Sequence, residues 1–123
     1  MNVAKLIADH LKTVAAITAL VGRRIYEEDT PDTVNQDCLR VSLLDGGGLH
    51  NLDFAASAVQ VSCFGKSVTA VKAIVVAVIA ELKDARLVVD GHFLVSTYQD
   101  DRFFKDPTWY HAPITFLVKC QEG

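Results

Sequence analysis

The sequence predicts an α+β domain: a mostly antiparallel sheet with two main helices packed on one face. Three observations predict it. Apolar residues recur at helical spacing in two main stretches, near the start and again from residue 67. Much of the remainder alternates apolar and polar residues, or flanks short turns. The order reads helix, two or three strands, helix, three strands, with no strand–helix–strand series of the kind that builds a doubly wound parallel sheet.

The first helix carries Val3, Leu6, Ile7, Leu11 and Val14 on one face, with Asn2 as a candidate cap. Thr18 to Gly22 follows as a short helical turn, stopped by the glycine. Arg23 to Tyr26 reads as a short strand. Glu27 to Asp37 contains Glu27, Glu28, Asp29, Asp32 and Asp37 and no base; with Pro31 and Asn35 it reads as a loop. From Cys38 to Leu44, Leu39, Val41 and Leu43 face one way and Arg40 and Ser42 the other. Residues 57–64 alternate again, with Val59, Val61 and Cys63 opposite Gln60 and Ser62. These two strands form a hairpin across a long connection that opens with Asp45, Gly46, Gly47 and Gly48.

Ser67 caps the clearest helix. Val68, Val71, Val75, Val78 and Leu82 form its seam, widened by Ile74 and Ile79. So apolar a perimeter implies contact on more than one side. Leu87 to Val89 and Phe93 to Tyr98 read as strands around an Asp90-Gly91 turn. Asp100 to Thr108 reads as a polar loop turning at Asp106-Pro107. The final strand runs from about Trp109 to Cys120, and Pro113 favours an edge position or a bulge because it lacks an N–H.

Composition bounds the function. The 123 residues suit one domain, 1–123, half of it hydrophobic and 22% charged. A chain of this length buries roughly two-thirds of its unfolded surface, so it needs neither disulfide nor metal to fold. The net charge of −3 argues against nucleic-acid binding by bulk attraction. Lys5, Asp9 and His10 interrupt the N-terminal apolar residues, so no signal peptide is expected. The longest apolar run, Ala73 to Ala80, is too short to span a bilayer. Cys38, Cys63 and Cys120 are widely spaced and odd in number, and are read as free thiols in a reducing compartment.

No motif carries chemistry. The Asp45–Gly48 run lacks the spaced glycines of a dinucleotide site and any Gly-Lys-Ser/Thr, so it reads as a flexible loop. Cys63 lies between valines on an apolar strand face, where a thiol is inert. The four histidines show no metal-ligand spacing. Asp100, Asp101 and Asp106 could attract a divalent cation, but Arg102 and Lys105 beside them favour a solvated turn with local ion pairs. No catalytic residue, cofactor or metal is therefore expected. The acidic 27–37 stretch reads either as a solvated loop or as a negative surface that lets DNA pass without sticking.

Taken in order, the segments resemble the phage tail-completion proteins, also called tail terminators or head-to-tail joining proteins of long, flexible-tailed phages. The resemblance rests on Ala16-Ile-Thr-Ala-Leu-Val-Gly-Arg-Arg-Ile-Tyr26 and on the strand and glycine-rich loop ending at Leu52-Asp53. It rests also on Val59-Gln-Val-Ser-Cys-Phe-Gly65 followed directly by the long helix, and on the late Asp-rich loop leading into Tyr110 to Val118. Family members usually have a proline before the strand that begins here at Cys38, where this chain has Gln36-Asp37. The resemblance implies a homo-oligomeric ring, typically of six copies, at the head-proximal end of the tail tube. It implies the tube protein and the head connector or neck protein as partners, with DNA passing through the centre without specific binding. It places the protein in the virion, and in the host cytoplasm during assembly, with no membrane and no active site.

A closed ring of identical subunits needs apolar spots beyond the core. Candidates for oligomer or partner contact are the Asp45–Gly48 loop with Leu49 and Phe54, then Phe103, Phe104 and Trp109, and Leu117 on the outer face of the last strand. Phe104 and Trp109 could equally complete the core. Glu27, Glu28, Asp29, Asp32 and Asp37 are candidates to face the DNA channel. Two other classes compete. A small-molecule-binding regulatory domain would need a concave pocket with convergent polar groups. A hydrolase using Cys63 or a histidine would need a reactive thiol.

Overall fold

The computed structural model describes residues 3–27, 36–44, 56–105 and 109–122. Among them are three helices, α1 (Val3–Leu11), α2 (Ala15–Val21) and α3 (Val68–Leu82). The strands are β1 (Ile25–Glu27), β2 (Cys38–Leu43), β3 (Ala56–Gly65), β4 (Ala85–Val89), β5 (His92–Asp101), β6 (Phe104–Lys105) and β7 (Tyr110–Glu122). The fold is α+β, as expected. The strands lie in the order β1-β2-β3-β7-β5-β4, with β6 also paired to β7. Every pairing is antiparallel except β1 with β2.

The register sorts the side chains into two faces. Val41 lies opposite Val61, and Val61 opposite Ile114. Val59 lies opposite Phe116, and Phe116 opposite Tyr98. This face is fully buried at Leu39, Val41, Val59, Val61, Cys63, Ile114, Phe116 and Val118. Leu6, Ile7 and Leu11 of α1 and Val71, Ile74, Val78 and Leu82 of α3 join the same core. Each such side chain contributes about 1.5–3 kcal/mol by leaving water. His10 Nε2 and Glu81 Oε1, 2.7 Å apart, tie the C-terminal turn of α1 to that of α3.

Local chemistry sets the boundaries. The Ser67 side chain accepts from the Ala70 amide at 3.1 Å and so caps α3. The first helix is shorter than its apolar pattern predicts, because Val14 stands before α2 rather than inside α1. Gly22 ends α2 at φ 62°, its amide donating to the Thr18 carbonyl at 2.8 Å. Asp90 and Gly91 both have positive φ, 49° and 78°, the conformation of a two-residue type I′ hairpin turn.

Two expectations are corrected. The sequence predicts a loop from Asp100 to Thr108, but β5 runs on to Asp101, and Phe104–Lys105 forms β6 against His111 and Tyr110; Asp106, Pro107 and Thr108, with the expected turn, lie outside the described residues. Pro113 lies in a central strand, not at an edge. Its carbonyl accepts from the Arg102 amide at 3.1 Å, so its backbone faces the gap between the end of β5 and the start of β6. The missing N–H points to where no ladder bond is required. No helix among the described residues is long and apolar enough to cross a membrane.

Candidate assembly surface

The second face of the sheet carries Ala58, Gln60 and Phe64 of β3 beside Leu117, Thr115 and His111 of β7. It continues through Thr97, Val95 and Phe93 of β5 to Arg86 and Val88 of β4. Toward β4 this face stays exposed: Val88 and Phe93 form a cross-strand pair with 66% and 50% of their surface free, and Val95 follows at 42%. Large apolar side chains gathered on one surface mark a contact region.

Toward β2 the same face is aromatic. His111 stacks on Phe64 with ring centroids 4.4 Å apart. Phe104 tilts against His111 at 6.0 Å, and the Arg40 guanidinium sits over Phe64 at 5.2 Å. Phe104 therefore belongs to this surface and not to the core; it remains 46% exposed. Its neighbour Phe103 turns to the helical side, against Tyr110 at 5.8 Å. There it borders a groove of about 480 Å³ shared with Val68, Val75 and Val76 of α3. Trp109 is half-buried with the Lys66 ammonium 6.0 Å from its ring centre. Leu117 is half-buried between Ala58 and Thr97.

The structure thus brings Phe104 and Leu117 to one face of the sheet and sets Phe103 on the other side. Asp45, Gly46, Gly47, Gly48, Leu49 and Phe54 lie outside the described residues, as do Glu28, Asp29 and Asp32. Of the acidic candidates, Glu27 is half-buried and close enough to Lys5 to help raise its pKa, after the larger effect of Asp9. Asp37 is half-buried, and its backbone carbonyl accepts from Arg24 Nε at 2.8 Å. Sequence reasoning missed Val88, Phe93, Val95 and Val76. The signal for Val88, Phe93 and Val95 was the absence of alternation in Leu87-Val88-Val89 and Phe93-Leu94-Val95, since a strand apolar on both faces has two surfaces to cover, and that for Val76 was the apolar perimeter of α3.

Cys38 and Cys63 offer little chemistry. Cys63 is fully buried, and burial pushes its pKa up. Burial also pushes Cys38 from 9.0 up to about 11. A thiol that stays protonated at neutral pH is a poor nucleophile. Tyr98 donates its hydroxyl to the Asp101 carboxylate, which raises the phenol pKa. Among the described residues no three His, Cys, Asp or Glu side chains gather to hold a metal.

A helix-backed sheet with apolar and aromatic side chains left on its outer face, and with Cys38 and Cys63 buried, has the surface of a protein that makes contacts. The chain belongs to the family described as tail completion protein gp17, whose sequence model matches residues 5–120. Among solved structures it is similar to a chain of the virion of a native gene transfer agent particle, at 16% identity and TM-score 0.77. That match covers 97% of this chain and 94% of the other. A second solved chain, 15% identical, matches with TM-score 0.63 over 98% of this chain and 92% of its own. At such identities the likeness is one of fold. No curated protein matches the sequence. Family membership gives the chain a structural role in phage tail assembly, within the phage particle.

Proposed function

We propose that the protein forms a homo-oligomeric ring, typically of six copies, at the head-proximal end of the phage tail tube. The ring ends tube polymerisation and joins the tail to the head connector or neck protein. DNA crosses its centre without specific binding. The protein assembles in the host cytoplasm and remains in the virion. The observation that carries this reading is the family match across residues 5–120. The exposed apolar surface at Val88, Phe93 and Val95 supports it, because a subunit of a ring must keep such surface free until it assembles.

In this reading Asp45 to Gly48, Leu49 and Phe54 contact a partner, and Phe103, Phe104, Trp109 and Leu117 supply further contacts. The acidic residues Glu27, Glu28, Asp29, Asp32 and Asp37 give the channel a sign that repels phosphate. The test is assembly of particles without the protein. Tubes of uncontrolled length and heads left unjoined are expected. Tails of normal length that join heads as usual would overturn the proposal.

A further inference from the structure

We infer that the ring contact is head to tail: the tip of the β4–β5 hairpin of one copy seats in the groove between α3 and Phe103 of the next. This inference rests on the ring reading and deepens it.

The hairpin tip is a prepared ligand. Val88 and Phe93 are paired in register beside the Asp90-Gly91 turn, and both are half or more exposed. The type I′ turn and the sheet behind hold them rigidly, so little conformational freedom is lost when they are covered. The groove is a prepared receptor. Val68, Val75 and Val76 of α3 form one wall, Phe103 forms the other, and Ala112 lies between. Val76 is 68% exposed although it sits mid-helix.

Charge complements shape. The tip carries Asp90, exposed and also near Lys5 of its own chain, while Lys72 and Arg102 line the groove. The acid that lines the groove with them, Asp101, already accepts a hydrogen bond from the Tyr98 hydroxyl. Placement excludes an internal contact. The tip lies at the His92 end of β5, and Asp101 and Arg102 lie at the other end. Ten extended residues put about 30 Å between them. One chain cannot join its own two surfaces, but successive copies can. Unlike surfaces joined by a rotation that closes give a ring and need no second kind of contact.

The test uses two surface variants, Val88→Glu and Val76→Glu, with Val76→Ser as a milder second groove change. All three replace exposed side chains, so their melting should match that of the parent. Size is followed by sedimentation velocity across concentration. Each variant alone should need roughly tenfold or more concentration to assemble. An equimolar mixture of the two Glu variants should give a one-to-one dimer and nothing larger, because it retains one intact tip and one intact groove. Variants that assemble like the parent, or a mixture that stays monomeric, would overturn the inference. If the parent still forms rings in that case, the head-to-tail contact fails alone. If the parent forms no ring even on the end of a tail tube, the ring reading itself fails.

Discussion

His111 lies flat on Phe64, their ring centroids 4.4 Å apart and their planes within 5°. The two residues are register partners of β7 and β3, so the stack locks the strand pair beside which β6 docks. Phe104 leans on the same imidazole. A double-mutant cycle with Phe64→Leu and His111→Ala should give a coupling of about 0.5–1.5 kcal/mol in denaturant unfolding. Additive effects would show that the stack is incidental.

Gly65 ends β3 where α3 and the Asp37 side chain close in. A Cβ there would lie 2.9 Å from Val71 Cγ2 and 3.0 Å from Asp37 Oδ1. Gly65→Ala should therefore destabilise the fold by about 1–3 kcal/mol through overpacking. Thermal unfolding measures it. An unchanged or raised melting temperature would mean that Val71 and Asp37 move aside freely.

The thiols make a prediction with a defined sign. In a Cys120→Ser background, Cys38 and Cys63 should resist a thiol reagent at pH 8 and react only after unfolding. The raised pKa of folded Cys38, about 11 against an ordinary 9.0, means that the unfolded chain loses its proton first as pH rises. Stability should hold below pH 9 and fall between 9 and 11. Rapid labelling of Cys63 in the folded protein would revive the hydrolase alternative.

Much of this fold was legible in the sequence because each element announces itself physically. Ser67 stands before an apolar run, Asp90-Gly91 separates two apolar stretches, and Gly22 closes a helix. What escaped had no local signal. β6 is two exposed residues, Phe104 and Lys105, held only by pairing to β7. Pro113 occupies a central strand because β5 stops beside it, a fact of another segment. The parallel pairing of Ile25 with Leu39 depends on where the chain returns. The exposed apolar surface was half legible: the apolar perimeter of α3 implied contact on a second side, but neither α3 nor the β4–β5 hairpin stood among the predicted contact residues.

The segment that begins Asp45-Gly46-Gly47-Gly48 offers a separation of folding from assembly. Replacing Gly46, Gly47 and Gly48 with a rigid sequence should leave the melting temperature unchanged and reduce joining of tails to heads. Wild-type joining by that variant would remove the loop from the mechanism.

The most direct measurement is electron microscopy of the purified protein, alone and mixed with tail tubes. A closed ring with a central hole, seated on one end of the tube and stopping its growth, is expected. Tubes that keep lengthening with no ring at either end would contradict the proposal.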